Sequence, residues 1–240
     1  MRFDAVEVVC LDLDDTLVDA RGSWHAGFAE VTAHLRERAP EFASLGSSSE
    51  IYEEHLRPLI IAAQRAAGSS EWSNDFARLG FRELLGRSAG LSAEQSDAIF
   101  EEYLEAWPRH LTLFDDVLPA LEALRASHRL ALISNGLGRD QRLKLDRLGL
   151  NDYFEVCVIS EEIGVTKPQP GIFAHTLEAL GVDAGVALHA GDNPHHDVAG
   201  ARDHGMRSVW VNRRGGRFDG PGDADAEVSH LGELVQLLTD

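Results

Sequence analysis

The fold is decided by residues 6–16, which read VEVVCLDLDDT. Residues 6–11 are almost wholly apolar, as is typical of a short strand covered on both faces. Two carboxylates two positions apart, Asp12 and Asp14, follow this strand directly. Because alternate residues of a strand lie on the same side, both can project into one cavity. Acidic clusters are usually solvated loops, so this segment alone does not establish a site.

Four further apolar runs resemble the first. They are predicted strands at 130–134, 156–159, 186–190 and 208–211. Helical patterns are present at 140–148, 171–180, 197–204 and 231–238. Strands that alternate with helices indicate βαβ units and a parallel sheet. The sequence therefore predicts an α/β protein with a Rossmann-like parallel sheet, in which ligands bind beyond the carboxyl ends of the strands.

A long helical stretch interrupts this alternation after the first strand. It shows no strand pattern, and its helical patterns lie at 24–38, 50–67, 74–85 and 93–107. Gly- and Ser-rich breaks at 46–49 and 68–70 separate them. We predict two domains: an α/β core formed by residues 1–18 and 114–240, and an all-helical domain at 19–113. Residues 213–227, rich in Gly and Asp, are predicted to form a surface loop.

Composition argues against several classes of partner. The chain has 240 residues and a formal net charge of −18, so nucleic acid and anionic membranes are not expected partners. We expect no signal peptide and no membrane span, because every apolar run is too short. Cys10 and Cys157 lie in strand-like runs and are predicted to be buried free thiols, which fits a cytoplasmic location.

Polar residues also follow the second and third predicted strands. Ser134 and Asn135 precede a glycine, and a hydroxyl with backbone N–H groups at such a turn suits phosphate oxygens. Lys167 lies in GVTKPQP at 164–170 and is one of two lysines, the other being Lys144. Arginine is used elsewhere, so lysine here indicates a compact cation. Taken alone, the first feature is more typical of a polar strand-to-helix turn, and the second is equally typical of a surface lysine.

The fourth predicted strand is followed by GDNPHHD at residues 191–197. Asp192 and Asp197 add two carboxylates, although Asp197 could instead cap a helix. His195 and His196 suggest zinc, but carboxylates without cysteine favour magnesium. A phosphate dianion near several carboxylates would be repelled by roughly 4 kcal/mol per charge pair at 4 Å and an effective dielectric near 20. A phosphate site here would therefore need cations.

In order and spacing, these segments resemble the four motifs of the haloacid dehalogenase-like superfamily. The matching residues are DLDDT at 12–16, Ser134, Lys167 and GDNPHHD at 191–197. The resemblance covers about residues 5–18 and 114–212. It implies subfamily I, with the helical insert as a C1-type cap domain. The segments ISNG at 133–136 and VISEEIGVTKP at 158–168 most resemble pyrimidine nucleotidases and N-acylneuraminate phosphatases.

The resemblance implies a magnesium-dependent phosphatase that forms an aspartyl-phosphate. Asp12 would be the nucleophile and Asp14 the general acid and base. Phosphate would be held by Thr16, Ser134, Asn135 and Lys167, with Lys167 also assisting catalysis. Mg²⁺ would be bound by Asp12, Asp192 and the backbone carbonyl of Asp14. Asp197 would lie one shell further out, holding either a water of the metal or Lys167. As a separate hypothesis, Glu161 or Glu162 steadies Lys167.

Other activities of the superfamily remain as alternatives. Haloacid dehalogenases use the same nucleophile but need no metal and lack the second aspartate, which disfavours that activity here. Phosphonate hydrolases need a lysine in the cap, and residues 19–114 contain none. A phosphomutase and a catalytically silent phospholigand sensor stay open.

The expected substrate is a small phosphorylated metabolite such as a nucleotide or sugar phosphate, and the expected assembly is a monomer or weak homodimer. Aromatic and polar residues of the insert are candidates for a substrate pocket, although aromatic residues at helical spacing more often form core. They are Trp24, His25, Trp72, Asn74, Phe76 and Trp107.

Overall fold

The structure is a computed structural model that describes residues 3–68 and 73–239. The chain forms two compact units. One consists of Met1–Asp19 and Thr112–Asp240, and the other of Ala20–Leu111. Among the described helices, none is long and apolar enough to cross a membrane. Both cysteines are free thiols; Cys10 is buried and Cys157 is partly buried.

The first unit is built on a six-stranded sheet in the order β3-β2-β1-β4-β5-β6, and every pair of neighbours is parallel. The strands are β1 Val8–Leu11, β2 Arg129–Ser134, β3 Val156–Ile159, β4 Ala187–Gly191, β5 Arg207–Val211 and β6 Ala226–Val228. All four residues of β1 are buried, as expected of a central strand covered on both faces. The predicted α/β fold with a parallel sheet is confirmed.

The strand order brings the ends of β1, β2 and β4 together. Leu11 pairs with Leu132 on one side and with Ala190 on the other. From β1, successive strands are added on one side as β2 and β3 and on the other as β4 to β6. Such a reversal of direction leaves a crevice beyond the carboxyl ends of the strands, where ligands bind in open α/β sheets.

The sixth strand corrects the predicted loop at 213–227. Ala226–Val228 pairs with β5 through Val209–Ala226 and Val211–Val228. This strand is only three residues long, lies at the sheet edge and buries only Val228. A segment that buries one side chain has no hydrophobic period to detect, which is why its pattern resembled a loop.

The described residues of the second unit are helical. The α-helices are α1 Ala20–Arg38, α2 Pro40–Ser44, α3 Ser48–Glu50, α4 Arg57–Ala66, α5 Asn74–Ala89 and α6 Ala93–Ala106. A π-helical segment, Ile51–Leu56, joins α3 to α4, and a 3₁₀ turn, Trp107–His110, follows α6. Ser73 and Ser92 cap α5 and α6 by accepting hydrogen bonds from backbone N–H groups.

Phe28, Phe81 and Phe100 form the centre of this unit's core, with ring centroids 5.2–5.7 Å apart in successive pairs. Of the candidate pocket residues, Trp107 belongs to this core, and Trp24 and Phe76 pack against it. His25 Nε2 lies 2.8 Å from Glu53 Oε1, and Asn74 begins α5. Trp72 lies outside the described residues. Trp24, Phe76 and Trp107 are therefore observed in a structural role, within the core or packed against it.

The helices of the first unit cover its sheet. They are α7 Val117–Arg125, α8 Gly138–Arg147, α9 Ser160–Ile163, α10 Pro170–Leu180, α11 Gly200–Asp203 and α12 Leu231–Thr239. Helix α7, which was not predicted from the sequence, buries Val117, Leu121 and Leu124 along one face. The predicted helix at 197–204 is replaced by a π-helical segment, Pro194–Ala199, followed by α11.

Candidate active site

A sharp turn directly after β1 presents the two carboxylates of the first motif. The Asp12 N–H still pairs with the neighbouring strand, donating to Ala190 O at 3.0 Å. The N–H groups of Leu17 and Val18 then donate to Leu13 O at 2.9 and 3.0 Å. Asp15 adopts a left-handed conformation with φ 56°, which aspartate tolerates better than most residues. The turn therefore ends the strand at Asp12 and leaves its side chain at the carboxyl edge of the sheet.

Lys167 connects the carboxylates that follow β1 and β4. Its Nζ lies 2.5 Å from Asp12 Oδ1, 2.7 Å from Asp197 Oδ1 and 2.8 Å from Ile133 O, and the residue is only 3% exposed. Burial alone would lower the pKa of Lys167, but Asp12 and Asp197 raise it above its ordinary value. The side chain is therefore a fixed positive charge at the centre of the site.

The backbone of Lys167 is held by Asn135. Asn135 Nδ2 donates to Lys167 O at 3.0 Å, and the Lys167 N–H donates to Asn135 Oδ1 at 2.8 Å. Both polar ends of this amide are thus engaged in fixing the lysine. The predicted contact of Asn135 with phosphate stays a prediction.

The hypothesis that Glu161 or Glu162 steadies Lys167 is wrong. Glu161 Oε2 accepts a hydrogen bond from Gly138 N at 2.7 Å, at the start of α8. Glu162 forms two hydrogen bonds with Arg142, at 2.6 and 2.9 Å. Both glutamates therefore stabilise α8, while the Lys167 ammonium is directed at Asp12, Asp197 and a backbone carbonyl.

Asp197 is buried and takes hydrogen bonds on both oxygens. Oδ1 accepts from Lys167 and lies 3.0 Å from His189 Nε2, while Oδ2 accepts from the Asn193 N–H at 2.9 Å. Burial opposes ionisation, but Lys167 and His189 outweigh it and hold the pKa of Asp197 below its ordinary range. Of the two alternatives predicted for this residue, the contact with Lys167 is present in the structure.

Asp12, Asp192 and Asp197 form a compact acidic cluster, with one oxygen from each lying within 4.8 Å of the others. Burial, followed by the charges of Asp12 and Asp197, raises the pKa of Asp192 to about 9. Burial likewise raises the pKa of Asp12 to about 7, with Lys167 opposing the shift. Without a further cation, this cluster therefore disfavours simultaneous ionisation of its carboxylates.

The donor set of this cluster fits a divalent cation. No described residue donates a hydrogen bond to the Asp192 carboxylate or to Asp12 Oδ2. Carboxylate oxygens are the hard ligands that magnesium and calcium prefer. Since Asp197 already accepts three hydrogen bonds, Asp12 and Asp192 are the more available ligands. His195 and His196 are exposed and do not belong to the cluster. Their backbone N–H groups donate to Asn193 Oδ1, and the His195 ring lies 3.8 Å from Asp219.

The two predicted hydroxyl ligands lie buried near this edge of the sheet. Ser134 Oγ accepts a hydrogen bond from Gln141 Nε2 at 2.6 Å. Thr16 Oγ1 makes no hydrogen bond to any residue described in the structure, whereas Thr16 O accepts from Arg213 Nε at 2.7 Å. A buried hydroxyl without a partner is costly unless a bound group satisfies it. The orphaned hydroxyl is therefore consistent with a ligand-binding role for Thr16.

Asp14 is held by two residues that the sequence analysis did not assign to the site. Lys144 Nζ lies 2.6 and 2.7 Å from its two carboxylate oxygens, and Gln141 Nε2 lies 3.1 Å from Oδ2. Both residues belong to α8, three positions apart, and both are buried. A detectable signal was present, because Lys144 is one of only two lysines and lies on the apolar side of a predicted helix.

Comparison with known proteins places the chain among related hydrolases. Residues 6–205 match the family of haloacid dehalogenase-like hydrolases. The chain is 37% identical over 254 residues to a phosphoserine phosphatase of Thermus thermophilus, covering 95% of this chain and 98% of that protein. It is 29% identical over 227 residues to the N-acylneuraminate-9-phosphatase of Rattus norvegicus, covering 90% and 86%.

Among solved structures, a 2-haloacid dehalogenase from Pseudomonas syringae superposes with a TM-score of 0.68 and 31% identity, covering 97% of this chain and 98% of that chain. The relatives thus include phosphatases and a dehalogenase with similar coverage. Similarity alone does not separate the two reactions, and the residues of the site have to do so.

Proposed function

The chain belongs to the haloacid dehalogenase-like hydrolase family, and we propose that it is a magnesium-dependent phosphatase acting on a small phosphorylated metabolite through an aspartyl-phosphate. One observation supports this most strongly. Asp12, at the end of the central strand, is bonded to the buried Lys167 and lies within a cluster of three carboxylates. A dehalogenase, as the motif resemblance describes it, needs neither a metal cluster nor a second aspartate.

In the proposed reaction, Asp12 Oδ2 attacks phosphorus, forming a P–O bond while the bond to the ester oxygen breaks. Asp14 donates a proton to the departing ester oxygen. Water then attacks the phosphorus of the aspartyl-phosphate, gives a proton to Asp14, and releases inorganic phosphate with Asp12 regenerated. Each step balances, because the proton lost by Asp14 in the first step is recovered in the second.

The other residues stabilise charge and hold the phosphoryl group. Lys167 places a positive charge beside the nucleophile, where the phosphoryl oxygens would lie. Ser134 Oγ and the Asn135 N–H would contact the same oxygens, since the N–H groups of Gly136 and Gly138 already donate to Ser160 and Glu161. Magnesium, held by Asp12, Asp192 and the backbone carbonyl of Asp14, would offset the repulsion between the carboxylates and a phosphate dianion.

We further propose that Ala20–Leu111 is the cap domain and that the substrate is of the nucleotide or sugar-phosphate type. The boundary rests on the division of the chain at Asp19 and Thr112. The sugar-phosphate class is supported by the N-acylneuraminate-9-phosphatase, and the nucleotide class by the motif segments that resemble pyrimidine nucleotidases. The phosphoserine phosphatase adds phosphoserine as a further candidate substrate. A panel that combines phosphoserine, sugar phosphates and nucleoside monophosphates would discriminate among these substrates.

The test is phosphate release from 4-nitrophenyl phosphate by the full chain. Turnover should require magnesium, disappear with a chelator, and fall in calcium, whose looser coordination misplaces the nucleophile. Asp12→Asn should abolish turnover and covalent labelling while leaving the fold intact. Undiminished turnover in chelator would overturn the metal assignment. Halide release from a 2-haloacid, without any phosphatase activity, would favour the dehalogenase reaction instead.

A further inference from the structure

Helix α8 directs two buried polar side chains at the same carboxylate. Gln141 and Lys144 are 1% and 3% exposed, and their spacing of three residues places them on one face of the helix. Burying a lysine and a glutamine side by side is unfavourable unless both find partners. They bond to each other, since Lys144 Nζ donates to Gln141 Oε1 at 2.6 Å, and both bond to Asp14.

The contacts leave one position of the Asp14 carboxylate for a proton. An ionised carboxylate offers about four lone-pair sites, two on each oxygen. Oδ2 accepts from Lys144 at 2.7 Å and from Gln141 at 3.1 Å, so both of its sites are engaged. Oδ1 accepts from Lys144 at 2.6 Å, and no other described residue donates to it. The unengaged site on Oδ1 is where a proton can be held and exchanged.

The same glutamine connects Asp14 to the neighbouring strand end. Gln141 Nε2 lies 2.6 Å from Ser134 Oγ and 3.1 Å from Asn135 O, both in the turn that follows β2. Ser134 is the residue assigned above to the phosphoryl oxygens. The orientation of the proposed acid is therefore fixed relative to the proposed phosphate position, through a side chain that touches neither the nucleophile nor the metal cluster.

We propose that Lys144 and Gln141 are positioning residues for proton transfer: they lock the carboxyl group of Asp14 so that Oδ1 faces the leaving oxygen. This inference rests on the proposed phosphatase function. Asp14 is 24% exposed at its side chain and would otherwise be able to rotate. Misplacement of a catalytic group by about 1 Å can reduce a rate about 10²-fold, so the lock has a measurable consequence.

The experiment compares leaving groups that need protonation to different extents. With magnesium, Lys144→Met should lower kcat for an alkyl phosphate, such as glycerol 2-phosphate, by about 10- to 100-fold, a part of the ~10²–10⁴-fold typical of general acid catalysis. For 2,4-dinitrophenyl phosphate, whose leaving group departs without a proton, the first step, measured as the rate of the initial burst of dinitrophenolate, should lose less than about threefold. The second step needs Asp14 as a base for either substrate and should slow for both. KM for the alkyl phosphate should stay within about twofold, because Lys144 contacts the acid and not the phosphate.

Two comparisons separate positioning from a purely structural role. In an Asp14→Asn background, Lys144→Met should cause no further loss, since residues that act through one another are not additive. Arg142→Met, on the same helix but paired with Glu162 at a partly exposed position, should leave the leaving-group dependence unchanged. Gln141→Met should act in the same direction as Lys144→Met with a smaller loss, and it tests the lock if Lys144→Met does not fold.

The outcomes distinguish this inference from the function on which it rests. A wild-type protein that hydrolyses no phosphate monoester with magnesium overturns both. If the wild type is active, two results would overturn the positioning role alone. One is an equal loss of the first-step rate for alkyl and dinitrophenyl phosphates in Lys144→Met. The other is a loss in Lys144→Met that multiplies with the loss caused by Asp14→Asn.

Discussion

Replacing Lys167 by methionine tests whether the buried lysine holds the acidic cluster together. Methionine preserves the length and apolar stem of the side chain, so packing changes little. The ammonium disappears, and with it the hydrogen bonds to Asp12, Asp197 and Ile133 O. Three carboxylates with oxygens within 4.8 Å of one another then remain without their nearest cation.

The magnitude follows from the burial of both partners. Removing one member of a buried ion pair typically costs about 3–5 kcal/mol, because the remaining charge stays desolvated. Asp197 keeps its contacts with His189 and the Asn193 N–H, which places the expected cost within that range rather than above it. For a chain of this size, such a loss lowers Tm by roughly 6–20 °C. The variant should therefore fold, but with clearly reduced stability.

The assay is thermal and denaturant unfolding of the metal-free protein. Adding Asp197→Asn to Lys167→Met removes one of the buried carboxylate charges that has lost its lysine partner. The double variant should therefore recover at least about 1 kcal/mol of the free energy of unfolding, within the usual range of coupling between contacting residues. Magnesium should also recover part of the loss, since a ligand that binds only the folded state stabilises it. Arg142→Met, which breaks a partly exposed pair, is the control and should change stability by less than about 1 kcal/mol. Lys167→Met with wild-type stability, or a double variant less stable than Lys167→Met, would refute the coupling.

Three other outcomes are expected. With an aryl phosphate, Asp14→Asn should accumulate aspartyl-phosphate on Asp12, because only the second step then needs Asp14 as a base. Quenching with acid should trap this intermediate, and wild-type kinetics at every step would exclude the acid–base role. Joining Asp19 to Thr112 through two glycines should leave a folded α/β core with altered substrate preference, since the Asp19 N–H already donates to Thr112 O at 3.0 Å; a core without cooperative unfolding would contradict this. Asp116→Asn should reduce stability by about 3 kcal/mol by stranding the buried Arg213. Partial burial opposes the shift, but Arg213 and the Leu231 N–H hold the pKa of Asp116 below its ordinary value. The stabilising contribution of the Asp116 carboxylate should therefore persist down to about pH 4 and fade at more acidic pH. Unfolding of the wild-type protein and of Asp116→Asn, measured across this pH range, checks this expectation.

The sequence predicted the central part of the site because the topology is simple. Apolar runs that end in polar residues identify strands of a parallel sheet, and parallel strands in one sheet end at the same edge. Asp12, Ser134 and Asp192 therefore had to lie near one another once β1, β2 and β4 were neighbours. Lys167 follows no strand directly, and its place depended on the motif resemblance, which the family match confirms.

The missed features depend on side-chain direction rather than on strand order. Lys144 lies on the apolar side of its helix, which indicates burial, but only the rotation of α8 about its axis directs the side chain at Asp14. The contact of Asn135 with phosphate stays a prediction, and what its position did not reveal is that both ends of its amide bind the Lys167 backbone. Strand order restricts which residues share an edge of the sheet, but it does not determine which atoms of those residues meet.

The balance of charges at this edge supports the proposed binding of a divalent cation. Asp12, Asp14, Asp192 and Asp197 contribute four carboxylates, and the only two lysines of the chain are both buried against them. Each lysine contacts one carboxylate of the first motif, which leaves two negative charges when all four are ionised and one when Asp14 carries the proton that it donates. A divalent cation makes the site neutral in the first state and singly positive in the second. In a chain with a net charge of −18, this local balance is what would allow an anionic substrate to bind.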